Sequence, residues 1–216
     1  MKKTLLTIII LFLGTFSVSA QLYRYLDTQQ GLSSRRVIAV EKDQKGYMWF
    51  LTQEGVDRYN GKQFTNYILS DGNRPVLHFP NLSQLHIDNQ DDIWVTGKNG
   101  FIFKYNQMLD KYDLVMNFAD SLKTKRRLPL THTSIDRQNN LWLCTRNAQY
   151  IYRTDTKHVI KLETPIKEEV FYIEQAKGNR YFFGTRENVY VALLKGNRLE
   201  LEPEHTISNI HRVQHI

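Results

Sequence analysis

The chain of 216 residues lacks the features that mark a disulfide scaffold, a helical bundle or a disordered protein. It has one cysteine, Cys144, so no internal disulfide can form, and the run LWLCT predicts that this thiol is a small buried side chain. Glycine and proline number only eleven and five, too few to suggest disorder. No segment has a convincing 3.6-residue apolar period, so we expect little helix.

The motifs of common enzymes are missing as well. There is no glycine-rich phosphate loop and no serine nucleophile elbow. No histidine spacing suggests a metal triad, and the pattern places no pair of carboxylates together. We therefore expect no catalytic residue, no metal site and no cofactor in this chain.

The first twenty residues have the organisation of a secretory signal peptide. Lys2 and Lys3 form a positive start, a mostly apolar run follows, and Ala20 ends a small-residue cleavage site. The alternative is a membrane anchor, but the run is shorter than the roughly 20 residues that a spanning helix needs. Gln21 rather than cysteine follows the cut, which disfavours a lipid anchor. We expect residues 1–20 to be removed and the mature chain to enter an extracytoplasmic compartment, with no transmembrane segment.

Charge gives little indication of a partner. Removal of Lys2 and Lys3 lowers the net charge from +7 to +5, a mild excess. One basic cluster, KTKRR at residues 123–127, is expected to be a solvated loop in an exported protein, and no nucleic-acid partner is predicted.

A repeat dominates the remaining sequence. Four times, an alternating apolar run ends near an acidic or polar turn, and an aromatic-centred apolar run follows. The aromatic positions are separated by 45, 48 and 40 residues. The repeated aromatic residues are Trp49, Trp94, Trp142 and Phe182, and the acids assigned to the preceding turns are Asp43, Asp88, Asp136 and Glu174. Because the position recurs in each unit, Trp49 is interpreted as a packing residue between sheets and not as a ligand platform.

The period predicts an all-β fold, a β-propeller with four-stranded antiparallel blades. In the first unit we predict strands at 37–42, 48–52, 56–59 and 64–68, with Asn60-Gly61 as a two-residue hairpin turn. A β-sandwich also has many short strands, but it does not predict a repeated tryptophan.

The repeat divides residues 21–216 into a partial propeller. The predicted blades are approximately 37–69, 82–118, 131–163 and 170–202. Residues 22–26 are predicted to be the outer strand of a closing blade, and residues 210–216 the start of the next blade. About four blades plus part of another would leave unpaired edges, so we expect an N-terminal piece of a longer protein. The alternative is that a partner chain supplies the remaining blades.

The first unit carries a resemblance to a known family. Its pattern D-x-x-G-x-hydrophobic-W-hydrophobic-x-T-x-x-G-V-x-R-Y-N-G-x-x-F, from Asp43 to Phe64, resembles the two-component-regulator propeller repeat. The lead-in GLSSRRV, from Gly31 to Val37, resembles the usual opening of the first blade in such proteins. The later units depart from it, with Phe182 in place of tryptophan in the fourth.

The resemblance implies a periplasmic sensor of a Bacteroidetes-type hybrid two-component system, with seven-bladed propellers. The ligand of such sensors is commonly an oligosaccharide, and the kinase and DNA-binding domains would lie beyond Ile216. The chain itself would then be no enzyme, and its partners would be an oligosaccharide and the remaining blades or domains. A homodimer stays open as a further partner.

Two other functions stay open beside sensing. One is a secreted enzyme of streptogramin-lyase type, for which His78, His86 and His132 are candidates because they lie near the starts of blades. The other is a purely structural or dimerisation propeller.

No ligand-binding residue is assigned from the sequence. Propellers usually bind through loops at one face, so a ligand should be sought in the loops that differ between blades, such as those from an outer strand to the next inner strand. These loops contain Arg74, His78 and Phe79 in one case and Lys125 to Arg127 in another.

Overall fold

Short antiparallel strands account for most of the regular structure. A computed structural model of the chain describes residues 24–71, 75–77, 82–124 and 128–208. Along these ranges, four four-stranded sheets follow one another, each with its strands in sequence order. The fold is a β-propeller, as the repeat predicts. The predicted signal peptide at 1–20 and the predicted next blade at 210–216 lie outside the described residues.

Each sheet is one blade, and its strands are named in chain order. Blade 1 consists of β1 (Val37–Lys42), β2 (Met48–Thr52), β3 (Val56–Tyr59) and β4 (Phe64–Tyr67). A short hairpin of β5 (Leu69–Ser70) and β6 (Pro75–Leu77) connects it to blade 2. Blade 2 consists of β7 (Leu82–Ile87), β8 (Ile93–Gly97), β9 (Phe101–Asn106) and β10 (Lys111–Asn117), and helix α1 (Phe118–Ser121) follows. Blade 3 consists of β11 (His132–Ile135), β12 (Leu141–Thr145), β13 (Ala148–Arg153) and β14 (His158–Lys161). Blade 4 consists of β15 (Tyr172–Gln175), β16 (Arg180–Gly184), β17 (Val189–Lys195) and β18 (Arg198–Leu201).

The sequence locates the strands of blade 1 closely. The first three have the predicted bounds, and β4 ends one residue earlier than predicted. The outer strand predicted at 22–26 has no counterpart at residues 24–26, which form no strand, while residues 22 and 23 lie outside the described ranges. An outer strand needs a neighbouring strand to pair with, and the described part of the chain provides none for it.

The blades are arranged side by side with their first strands together. β1 contacts β7, β7 contacts β11, and β11 contacts β15. These are the inner strands, and β4, β10, β14 and β18 are the outer ones. The turns after the first and third strands of each blade therefore share one edge of the propeller, which we call the turn edge.

The core lies between blades, not within them. One buried cluster joins Trp49 and Leu51 of blade 1 to residues such as Phe103 of blade 2. A second joins Trp94 to blade 3, and a third joins Trp142 to blade 4. Since a single four-stranded sheet buries neither face by itself, each blade depends on its neighbours for its core. Cys144 is fully buried in the third cluster, as predicted.

In three blades the repeated tryptophan is held by the aspartate of the preceding turn. Its indole Nε1 donates to an Oδ2 at 2.8 Å from Asp43, 2.9 Å from Asp88 and 3.1 Å from Asp136. The other carboxylate oxygen accepts the backbone N–H four residues further along the turn, at 2.8 to 3.0 Å. We call this arrangement the Asp–Trp clamp. It fixes the turn and the indole together, and it directs the ring into the next blade.

Blade 4 has neither member of the clamp, and here one sequence assignment is wrong. Phe182 does pair with Glu174 across the sheet as Trp142 pairs with Ser134, so its equivalence to the tryptophans is confirmed. The turn position six residues before it, however, is Ala176, and the predicted Glu174 lies two residues earlier and is exposed. A phenyl ring has no N–H to donate, so a buried carboxylate at 176 would lose its indole partner. The aspartate and the tryptophan are therefore absent together.

A tight turn explains the motif T-x-x-G in blade 1. The backbone N–H of Thr52 donates to the carbonyl oxygen of Gly55 at 2.8 Å. Gly55 has φ of 150°, and a Cβ atom there would lie 2.3 Å from the carbonyl oxygen of Tyr67. Only glycine fits this close approach of two backbones.

The lead-in GLSS is attached to blade 1 by a buried carboxylate. Asp57 on β3 is fully buried and accepts from the Ser33 backbone N–H at 2.8 Å and from the Ser33 hydroxyl at 2.7 Å. Leu32 is buried beside it, and Gly31 has φ of 106°, in the left-handed region. The lead-in therefore covers the face of blade 1 that points away from blade 2.

Replacement of a clamped tryptophan should cost much of the stability of the chain. Trp49 is 1% exposed, so Trp49→Ala is expected to lower the free energy of unfolding by roughly 3–5 kcal/mol because it removes buried ring contacts and leaves Asp43 without its indole donor. Urea or thermal unfolding measures the change. Phe182→Ala at the equivalent position of blade 4 is the matched control, and it should cost less because this ring is only partly buried. An unchanged midpoint for Trp49→Ala would contradict the interblade packing.

Candidate ligand-binding cleft between the first two blades

A cleft of about 430 Å³ opens at the turn edge between blades 1 and 2. Its walls come from the turn after β1, the turn after β7 and the ends of β3 and β9. The two turns are joined where the Gln44 backbone N–H donates to Asp91 Oδ1 at 2.9 Å. We call this space the first cleft.

The floor of the first cleft is a guanidinium surrounded by aromatic rings. The Arg58 Cζ atom lies 5.1 Å from the centroid of the Tyr47 ring and 5.6 Å from that of Trp49. Tyr67 and Tyr105 complete the set at 5.6 and 5.7 Å. These distances are those of cation–π contacts, which hold the Arg58 side chain in one orientation.

A carboxylate from the next blade completes this cluster. Arg58 Nη1 donates to Asp110 Oδ1 at 3.1 Å, and the hydroxyls of Tyr67 and Tyr105 donate to the same oxygen at 2.6 Å. The hydrogen bonds from Tyr105 and then Tyr67 hold the pKa of Asp110 below its ordinary value, with a smaller contribution from Arg58. Burial is the first reason that the pKa values of both tyrosines are raised, and the bond to Asp110 is the second. The cluster is therefore an ion pair between a largely buried guanidinium and an exposed carboxylate, with two tyrosine hydroxyls as further donors.

The rim of the first cleft is rich in hydrogen-bonding groups. Gln44, Gln90 and Gln107 are exposed, and their side-chain amides bond to none of the described residues. Asp92 forms an ion pair with Lys104, and Lys45 is exposed at the mouth. A half-buried tyrosine face beside several amides offers an apolar plane together with donors and acceptors.

This composition suits a ligand that carries many hydroxyl groups. Amides and carboxylates can bond to neighbouring hydroxyls, while the ring of Tyr47 can pack against an apolar ring face.

The sequence predicts that a ligand binds at the loops from an outer strand to the next inner strand, whereas the first cleft lies at the turn edge. Arg58, which follows G-V-x in the first repeat, does not identify the cleft by itself, because Tyr105 and Asp110 come from the next repeat.

The histidines proposed from the sequence have structural surroundings. The His86 Nε2 atom lies 2.9 Å from the Thr133 hydroxyl, and burial followed by the nearby His132 lowers the pKa of His86 to about 3. The His132 Nδ1 atom lies 3.1 Å from the Gln84 amide, and Nε2 accepts the Ile173 backbone N–H at 3.2 Å. Burial lowers the pKa of His132 to about 4. Both imidazoles are uncharged at neutral pH, and they hold the inner strands of blades 2, 3 and 4 together.

Several residues named from the sequence lie outside the described ranges. They are His78, Arg74, Phe79 and the basic residues Lys125 to Arg127. One group of possible metal ligands occurs along the described ranges, formed by Glu202, Glu204 and His205. The Arg180 guanidinium, 2.7 Å from Glu202 Oε2, already neutralises that carboxylate, so the group is poorly suited to a cation. Over the same ranges, no helix has the length and apolar character needed to cross a membrane.

Solved structures with the same fold include extracellular bacterial domains. The extracellular domain of BT3049, a proposed hybrid two-component system of B. thetaiotaomicron, matches with a TM-score of 0.65 and 18% identity, over 82% of this chain and 26% of that one. The corresponding domain of BT4673 from the same organism matches with a TM-score of 0.62 and 14% identity, over 84% and 27%. PorZ, a surface component of the type-IX secretion system of Porphyromonas gingivalis, matches with a TM-score of 0.61 and 16% identity, over 82% and 23%.

These similarities establish the fold class, a β-propeller. The chain spans about a quarter of the length of these structures. No protein-family model matches the chain, and no curated protein matches it.

Stability should depend on pH through Asp110. Its folded-state pKa is below its unfolded-state value of about 3.9, so its contribution is complete above that value and is lost as the pH falls through the folded-state pKa. We expect the difference in unfolding free energy between the wild type and Asp110→Asn to shrink as the pH falls below the unfolded-state value and toward the lowered folded-state pKa. Urea titrations across this range measure it. Asparagine tolerates the left-handed conformation of residue 110, at φ of 47°.

The cause can be tested separately with Tyr105→Phe. This change removes the largest influence on the Asp110 pKa and should weaken the pH dependence while Asp110 stays in place. A constant difference between wild type and Asp110→Asn across the range would contradict the assignment.

Proposed function

We propose that the chain is part of the periplasmic sensor region of a hybrid two-component signalling protein and that the first cleft contributes to recognition of an oligosaccharide. The repeat in blade 1 resembles the two-component-regulator propeller repeat, and the structures of BT3049 and BT4673 support an extracellular sensor role. The predicted signal peptide is the basis for the periplasmic location. Further blades and domains of the same protein would then complete the sensor.

The observation that carries the ligand proposal is the composition of the first cleft. A half-buried tyrosine, an oriented guanidinium and three exposed side-chain amides line a space of about 430 Å³. Cavities of roughly 300–1,000 Å³ are typical of small-molecule sites. Since the positive charge of Arg58 is already compensated by Asp110, the cleft favours a hydroxyl-rich ligand over a strongly charged one.

Two other functions compete with this proposal. For a propeller enzyme of the streptogramin-lyase type, two of the three candidate histidines are disfavoured as general bases, because His86 and His132 are weak bases held by structural hydrogen bonds. A purely structural or dimerisation propeller predicts that the first cleft binds nothing. Calorimetry therefore distinguishes the sensor from the scaffold.

Oligosaccharide binding should depend on the ring of Tyr47. A panel of oligosaccharides released from polysaccharides is titrated into the mature chain by isothermal calorimetry, and one class is expected to bind. Tyr47→Ala should weaken that binding at least about tenfold, a loss of roughly 1.4 kcal/mol, because the apolar plane of the cleft is removed.

The control is Tyr25→Ala, which removes a tyrosine that is 86% exposed and lies outside the cleft. Its affinity should equal that of the wild type. The proposal is rejected if no oligosaccharide binds, or if Tyr47→Ala and Tyr25→Ala bind equally well.

A further inference from the structure

A larger cleft lies between blades 2 and 3. It has a volume of about 760 Å³ and is formed by the ends of β8 and β9, by β10 and by the turn between β13 and β14. We call this space the second cleft. Its walls differ from those of the first cleft, so a ligand bound here would be independent of the proposed function.

Comparison of the two interfaces explains why the second cleft is open. Strand pairing makes Met116 of blade 2 equivalent to Tyr67 of blade 1, because Met116 pairs with Ile102 as Tyr67 pairs with Val56. In the first interface the Tyr67 ring packs on Trp49 at a centroid distance of 5.9 Å. A thioether side chain at this position leaves part of the space beside Trp94 unfilled.

A second substitution enlarges the same space. Val159 pairs with Tyr152 as Tyr112 pairs with Tyr105, so Val159 is equivalent to Tyr112. The Tyr112 ring also packs on Trp49, at a centroid distance of 6.3 Å. The second interface therefore lacks two phenol rings that fill the first.

The floor of the second cleft is apolar. The pairing of β10 with β9 shifts register between Leu114 and Met116, which inserts Val115 as a β-bulge, and these three residues line the cleft with Val159. Leu114 is 38% exposed, so a ligand in the cleft could cover part of its side chain. Bulges commonly re-aim side chains beside binding sites.

The rim of the second cleft is basic. Lys104, Lys157 and His158 line it, and no carboxylate of the described residues does. The Lys104 ammonium forms an ion pair with Asp92 and lies 5.1 Å from the centroid of the Trp94 ring. Lys157 has no ion-pair partner among the described residues, and its nearest acidic neighbour in sequence, Asp155, accepts the Thr156 backbone N–H and does not line the cleft.

His158 lies at the same rim. Its Nδ1–H donates to the Thr156 carbonyl oxygen at 2.8 Å, so Nε2 of the neutral ring is an acceptor and does not recognise an anion. A ligand anion at this rim would therefore be paired by the Lys157 ammonium, while its apolar part could cover Leu114 and Met116.

We propose that the second cleft binds a small organic anion with an apolar or aromatic part. The charge is recognised at the rim by Lys157, and the apolar part occupies the space that Tyr67 and Tyr112 fill in the first interface. Burial of Leu114 and Met116 favours the apolar part, and ionic attraction to the rim favours the anion over a neutral analogue.

The test uses 8-anilinonaphthalene-1-sulfonate as a fluorescent probe with this chemistry. The folded chain should bind it saturably with a stoichiometry of one. N-phenyl-1-naphthylamine has the same rings without the sulfonate, and it should bind at least about tenfold more weakly. Equal affinities for the two probes would overturn the role of the basic rim.

Two variants localise the probe. The double change Met116→Tyr and Val159→Tyr introduces the two rings that fill the first interface and should abolish binding, with circular dichroism confirming that the variant is folded.

Lys157→Glu lies in an exposed turn and tests the proposal independently of any repacking. It should weaken binding at least about tenfold, whereas the charge-matched control Lys177→Glu in blade 4 should not. Unchanged binding of the probe to Lys157→Glu, or equal losses in Lys157→Glu and Lys177→Glu, would overturn the assignment.

Discussion

The hydrogen bond between a buried aspartate and an indole is the interaction on which the rest of this propeller depends. In blades 1 to 3 one carboxylate oxygen fixes the first turn and the other fixes the tryptophan that packs into the next blade. A buried carboxylate is costly unless its oxygens are satisfied, and the clamp satisfies both within one hairpin. A local contact thereby determines the geometry of the interface between blades. Blade 4 lacks both members of the clamp, since Ala176 stands in place of the aspartate and Phe182 in place of the tryptophan.

Features within one repeat can be predicted from the sequence, and features shared by two repeats cannot. The bounds of β1, β2 and β3 and the burial of Trp49 follow from turn residues and a repeated position. The assignment of Glu174 is wrong because blade 4 has no clamp. The clamp position is occupied by Ala176, and Glu174 is only the acidic residue nearest to it in the sequence. The first cleft escapes prediction because it joins Arg58 to Asp110, which are 52 residues apart and belong to different blades. Strand pairing is needed before such residues can be seen as neighbours.

The two clefts show how one repeat produces different surfaces. Each lies beside a clamped tryptophan at the turn edge, where a cation rests on the indole, Arg58 in the first and Lys104 in the second. The tyrosines that surround Arg58 make the first floor polar and rigid. Smaller apolar residues make the second floor open. Because the sheets keep the same strand order, these differences change the chemistry of the clefts without changing the fold.

One contact links the stabilities of neighbouring blades. Tyr181 of blade 4 donates its hydroxyl to Asp136 Oδ2 at 3.2 Å, and the same oxygen accepts the indole of Trp142. The blade without a clamp is therefore attached to the clamp of its neighbour. In a row of units that contact only their neighbours, stability is a sum of unit terms and interface terms. Blade 4 therefore depends on its interface with blade 3, where this hydrogen bond lies beside the buried cluster of Trp142, so a loss of order in blade 3 should reduce the stability of blade 4 as well.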